Sequence, residues 1–193
     1  MAQAKTLSDA NLDALIDAII ETSRNPTADV TVILLSFKAG LRACEIAGLC
    51  WNDVTDARGQ LTSVITVPKA IAKKGHGREI HMHPVLREAL ETLKEELGPF
   101  ATGKQRIIRG ATGTPTTTPN ALVQRMIYIY ERHGFQCSSH SGRRTMITKM
   151  AKRANEYDCS LKDVQRVAGH RFIATTEVYV DYSPNIQQLI EAV

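Results

Sequence analysis

The sequence predicts an α+β fold, mainly helical with a small three-stranded antiparallel sheet, and three observations carry that prediction. Apolar residues recur at helical spacing over most of the chain, and alternation replaces that period only between about residues 62 and 83. The third is size: 193 residues, 43% of them hydrophobic, suffice for one well-buried core or one domain with short appendages, and hardly for two full domains.

Leu12, Leu15, Ile16 and Ile19 form a helical stripe after Ser8-Asp9, a pair suited to the unpaired N–H groups of a first turn. A second helix can start at Asn25-Pro26, where proline's missing N–H costs nothing, and stop at Gly40. Thr62 to Val67 and Glu79 to His83 are β-rich, and Lys73-Lys-Gly-His-Gly77 between them has turn chemistry, so they read as a hairpin. A short strand near Trp51 to Val54 is the expected third member. After Pro84 the helical stripe returns through Val85, Leu86, Ala89, Leu90, Leu93 and Leu97, and Gly98-Pro99 ends it. A Gly-, Thr- and Pro-rich loop runs from about Gly103 to Thr117, and Thr118-Pro119 opens a helix through Arg132. Ser138 or Ser139 can cap a helix to about Asn155, and Ser160 with Asp163 makes a capping box before a short helix ended by Gly169. A short helix near Thr175 to Tyr179 and an amphipathic tail from Asn185 complete the chain.

Composition narrows the function classes. A net charge of +4 is mildly basic and raises the expectation of a nucleic-acid partner only a little. Cys44, Cys50, Cys137 and Cys159 show no CxxC spacing and the N-terminus is not signal-like, so a reduced, cytoplasmic setting is expected. The longest apolar run, Val30 to Phe37, is interrupted by Thr31 and Ser36 and is far too short to span a bilayer, so no membrane role is expected.

Three separated segments carry residues suited to phosphoryl chemistry, which needs cations against the non-bridging oxygens, an in-line nucleophile and an acid for the leaving oxygen. Arg42 lies in Gly40-Leu-Arg-Ala-Cys-Glu-Ile46, with Glu45 three residues on and able to reach back to it. His140 and Arg143 are spaced to project from one side of a helix. Paired guanidiniums from Arg42 and Arg143 would suit a phosphate clamp. The third segment, Ala168-Gly-His-Arg-Phe-Ile-Ala-Thr-Thr-Glu-Val-Tyr179, presents His170 and Tyr179 from neighbouring short elements, with Thr175-Thr176 able to cap the second. Helix, glycine turn and helix also describe a helix-turn-helix DNA reader, but Ala174, Glu177 and Val178 are poor base-edge readers.

Other residues have structural explanations. His81 and His83 could share a strand face, yet no third metal ligand is evident, and no metal or other cofactor is expected. Tyr128, Tyr130 and Trp51 read as core or boundary residues. Lys149, Lys152 and Arg153 follow Arg143-Arg144 on one helix and fit a phosphate-contacting face or a solvated one equally well.

In their order, the three segments resemble the signature of the tyrosine recombinases, the phage integrase type: Arg and Glu after Gly-Leu, then His-x-x-Arg, then Ala-Gly-His with Tyr nine residues on. The resemblance runs from about Leu34 to Tyr182, and Leu49-x-Trp51-x-Asp53 and the hairpin fit it too. It implies the fold of the DNA breaking-rejoining enzymes, with residues 1–183 as the catalytic domain. The catalytic set implied is Arg42, Lys73, His140, Arg143, His170 and Tyr179, supported by Glu45. Arg42 and Arg143 would stabilise the pentacoordinate phosphate, His140 would accept the proton or hydrogen-bond near the nucleophile, and His170 would hold a phosphate oxygen. The general acid is a lysine of the hairpin turn, Lys73, with Lys74 a close second. Tyr179 would form a 3′-phosphotyrosyl link without a metal, and Tyr182 is its local rival.

The implied reaction is site-specific recombination, in integration or excision of a mobile element, on double-stranded DNA as a homotetramer, with a monomer allowed for the free protein. A catalytically silent regulator derived from a recombinase, or a type IB topoisomerase or telomere resolvase relative, are the alternatives. Two departures stand out. The usual N-terminal DNA-gripping domain is missing from the pattern, and Gly142 and Arg144 stand where Leu and His are commoner, which predicts altered packing. The tail, residues 184–193, carries Ile186, Leu189, Ile190 and Val193 on one stripe, and is expected either to dock on a neighbouring protomer or to fold back.

Overall fold

A computed structural model describes residues 4–72, 75–110, 113–180 and 191, organised as two compact units, 1–146 and 147–193. The first unit is built around helix α2 (Pro26–Phe37), in which every residue from Thr31 to Phe37 is buried. A helix apolar all round belongs inside a core. Helix α1 (Asp9–Thr22) lies against it through Leu12, Leu15 and Ile19, and Ser8 caps it by accepting from the Asn11 N–H at 3.2 Å. Helix α3 (Ala43–Gly48) follows α2 through the left-handed Gly40.

Strands β1 (Val64–Val67) and β2 (Arg78–His81) pair antiparallel, with Val64 opposite His81 and Val67 opposite Arg78. Ile65, Val67 and Ile80 turn into the core. Among the described residues the sheet has these two strands, and the expected strand at Trp51 to Val54 is a 3-10 turn over Trp51–Asp53. The reason is local: the Asp53 carboxylate accepts from the Cys50 N–H at 2.8 Å and curls the chain while the Trp51 ring sinks into the core. The N–H groups of Trp51 and Asn52 go to the carbonyls of Gln105 and Gly103, and the Val54 carbonyl accepts from the Thr62 N–H at 2.9 Å, so the segment ties a loop to the chain just before β1 without extending the β1–β2 ladder as a strand.

Helix α4 (Pro84–Leu97) buries Leu86, Leu90 and Leu93 and packs on α2, and Gly98 ends it in a left-handed turn. His83 is outside the strand; it caps α4, its ring nitrogen accepting from the Val85 N–H at 3.3 Å. Helix α5 (Pro119–Arg132) is capped by Thr118 and packs on α3, with Tyr130 buried and Tyr128 exposed.

Helix α6 (Ser141–Arg153) contains the division between the units. The second unit holds its later turns, a 3-10 turn at Ala154–Tyr157, helix α7 (Leu161–Ala168) and helix α8 (Ala174–Glu177). Ile147, Ala154, Val164 and Ala168 form its core, with Leu161 and Tyr179 packed against them. Asp163 closes the α7 N-terminus by accepting from the Ser160 N–H and O–H. The tail at 184–193 falls outside the described residues apart from Glu191. Among the described residues no helix is long and apolar enough to cross a membrane.

Candidate active site

Gly40 sets the geometry of the first group. Its φ of +61° lets α2 end in a left-handed turn, a conformation that suits glycine. Its carbonyl then accepts from Arg143 Nη1 at 2.6 Å, so a buried guanidinium on the first turn of α6 is tied two residues ahead of Arg42. Arg42 itself occupies the N-cap position of α3.

Glu45 organises the arginines. It is wholly buried on α3 and accepts from the Arg42 N–H at 2.9 Å and from Arg42 Nη1 at 3.1 Å. It also accepts from both terminal nitrogens of Arg78 on β2, at 2.8 and 2.9 Å. Burial alone pushes the Glu45 carboxyl up, but the hydrogen bonds and charges of Arg78 and Arg42 outweigh it and hold the group below the usual carboxylate value. Arg42 is thus held from two directions by one ionised carboxylate.

His140 precedes α6 and its carbonyl accepts from the Arg144 N–H at 2.9 Å, which makes it the N-cap. His140 is exposed and Arg143 buried, so the two differ in environment despite their spacing. Gly142 between them explains the departure from leucine: a Cβ there would meet Ser36 Oγ, and Phe37 Cδ2 at 2.7 Å.

The second unit brings His170 and Tyr179 together. Gly169 ends α7 in the left-handed region at φ +62° and His170 follows it. The His170 and Tyr179 rings stack with centroids 5.7 Å apart and planes at 25°. His170 Nδ1 lies 2.9 Å from the hydroxyl of buried Thr176. Thr176 lies inside α8, and the expected cap is absent; its oxygen faces the histidine and not a helix N–H.

The sequence profile of the phage integrase family matches residues 5–185. This chain belongs to the phage integrase family. Among its relatives is the tyrosine recombinase XerC of Xylella fastidiosa strain 9a5c, 28% identical over 152 residues that cover 78% of this chain and 47% of that protein. XerC of strain M23 matches to the same extent, so the chain spans about half the length of the curated relatives it matches. In fold it is similar to the XerA recombinase, with a TM-score of 0.72 at 18% identity over 99% of this chain and 65% of that one. The Tn1549 transposon integrase in complex with a circular intermediate DNA gives 0.75 at 18% identity over 100% of this chain and 67% of that one.

For this phage integrase chain, the structure gathers Arg42, Glu45 and Arg143 around the α2–α3 turn, sets His140 at the head of α6, and stacks His170 on Tyr179. Lys73, Lys74 and Tyr182 lie outside the described residues. Sequence reasoning missed three residues. Arg78 was visible only as part of the Lys-Gly-Arg spacing, and its partner is 33 positions away. Gln165 Nε2 donates to the carbonyls of His170 and Arg171 at 3.0 and 3.3 Å, and no local spacing announces it. Thr176 was read as a cap. Of the metal pair considered and set aside, His81 ends β2 and His83 caps α4, where burial and the Lys38 charge push its imidazole down.

Proposed function

We propose that this chain is the catalytic part of a site-specific tyrosine recombinase that cleaves and rejoins double-stranded DNA. The observation that carries the reading is the His170–Tyr179 stack, in a phage integrase chain that also ties Arg143 beside Arg42. Tyr179 Oη attacks the scissile phosphorus, forming a phosphotyrosyl bond at the 3′ side as the bond to the 5′ oxygen breaks. The phenolic proton passes to His140 or into the cationic pocket, and Lys73, with Lys74 as alternative, supplies a proton to the leaving oxygen. Arg42 and Arg143 hold the non-bridging oxygens through the transition state, His170 donates to one of them, and Glu45 orients Arg42. Attack by another strand's 5′ hydroxyl reverses the step and reseals DNA with no energy input, because the phosphoester bond is conserved in the tyrosyl link. The working assembly is a homotetramer on synapsed DNA, and the setting is integration or excision of a mobile element.

The test is covalent trapping on a nicked suicide substrate built from sequences flanking the source element. Wild type is expected to give an SDS-resistant adduct that maps to Tyr179 by mass spectrometry, and Tyr179→Phe none. Firm binding of that DNA by wild type with no adduct overturns the catalytic reading in favour of a silent DNA-binding regulator.

A further inference from the structure

The second unit contains a hydroxyl that the reaction scheme does not use. Thr176 is fully buried, so water is not available to its O–H, and a buried donor left unmade is costly. The partner the structure gives that hydroxyl is His170 Nδ1, at 2.9 Å. An imidazole nitrogen that accepts from a hydroxyl carries no proton, so the neutral ring must carry it on Nε2. We propose that Thr176 is a positioning residue which donates to His170 Nδ1 and thereby fixes the ring as the Nε2–H tautomer, with Nε2 as the atom offered to a phosphate oxygen.

Two neighbouring contacts make the placement directional. Gln165 is buried and gives its amide hydrogens to the carbonyls of His170 and Arg171, which fixes the backbone from which the ring projects. Tyr179 stacks on the ring face, and its own N–H donates to the Thr176 carbonyl at 3.0 Å. Thr176 therefore holds the histidine through its side chain and the tyrosine through its backbone. A ring turned over about χ2 would put carbon where Nδ1 now meets the hydroxyl. It would also leave the threonine donor unmade, so one bond selects both ring orientation and tautomer.

The consequence for cleavage rests on the recombinase reading, whereas the tautomer does not, and the experiment separates them. Thr176→Val keeps the shape and removes the hydroxyl, and Thr176→Ser keeps the hydroxyl. Long-range ¹H–¹⁵N correlation spectra of the full chain, at a pH where the imidazole is neutral, report which His170 nitrogen is protonated and whether the other accepts a hydrogen bond. Wild type and Thr176→Ser are expected to show a protonated Nε2 and a hydrogen-bonded Nδ1. In Thr176→Val the Nδ1 resonance is expected to move to that of an unbonded acceptor or to average between tautomers. Adduct formation by Thr176→Val is expected to fall about 10- to 100-fold with DNA affinity unchanged, and Thr176→Ser to recover most of it.

A protonated Nδ1 in wild type, or a His170 spectrum unmoved in Thr176→Val, overturns the proposal. If Thr176→Val does not fold, the wild-type and Thr176→Ser spectra still decide it. Absence of adduct in wild type itself defeats the recombinase reading and leaves the tautomer measurement standing.

Discussion

Glu45 has no exposure to solvent, yet it stays ionised because Arg78 grips both of its oxygens and Arg42 adds two donors. Removing Arg78 takes away the cation that grips both oxygens and leaves Arg42 alone to offset a buried charge, a loss of up to about 3–5 kcal/mol. Arg78→Ala is therefore expected to lower stability by about that amount at neutral pH, read from urea denaturation followed by the fluorescence of buried Trp51, the single tryptophan. The pH dependence has a definite sign. A carboxyl with a depressed folded-state pKa contributes stability that is present above its unfolded value and lost as pH falls through the folded value. The gap between wild type and Arg78→Ala should be full near neutrality and close as the wild-type carboxyl is finally protonated. A gap that stays constant down to strong acid would refute the ion-pair account. The Arg42–Glu45 half of this cluster was legible because three-residue spacing on a helix is a local rule. The Arg78 half was not, because a strand residue 33 positions away reaches Glu45 only through the tertiary fold.

Whole elements were legible where one short-range device decides them. Ser8 and the Leu12, Leu15, Ile19 stripe place α1, and Ser160 with Asp163 places the start of α7, as the structure has them. The Trp51 segment misled because Trp51 and Val54 are strand-favouring residues, while the Asp53 side chain between them folds back on Cys50 and converts the segment to a 3-10 turn. At the contact of α6 with α2, competing effects can be weighed. Replacing Gly142 by alanine should gain about 1 kcal/mol of helix propensity, but the new Cβ meets Ser36 Oγ, Phe37 Cδ2 at 2.7 Å and the Ser36 backbone carbon at 2.9 Å. Backbone and a buried ring cannot swing aside, so overpacking of about 1–3 kcal/mol should win and Gly142→Ala should unfold at lower temperature by circular dichroism. Among the described residues Ser36 Oγ has no hydrogen-bond partner, so Ser36→Ala opens space at little cost, and the double variant should be more stable than the sum of the singles predicts. Additive singles would show that α6 is not seated by this contact.

At the scale of the molecule, length bounded how much core the chain could hold and said nothing of how that core is divided. The first unit buries large side chains throughout, among them Trp51, Tyr130, Ile33, Leu34 and Leu35. Among the described residues the second buries Ile147, Ala154, Val164 and Ala168, two of them alanines, so the apolar burial around α7 is small. Stability follows buried apolar area, and regions with little of it open by themselves before the rest of a protein does. Native-state hydrogen exchange is expected to show the α7 amides from Val164 to Ala168 opening at a lower free energy than the α2 amides from Val32 to Phe37. The α7 opening should also have the weaker dependence on denaturant, because it exposes less surface. Arg42 and Arg143 would then sit on the unit that stays closed, and His170 and Tyr179 on the one that opens more readily. Proposed chemistry that needs both groups would depend on the less stable unit for its nucleophile. Ala154→Val, which adds apolar volume beside the cavity lined by Met150, Val164 and Val167, should then raise the fraction of molecules competent to form the adduct. Identical opening free energies and denaturant slopes in α2 and α7 would mean one cooperative unit, and would remove any reason for competence to vary independently of global stability.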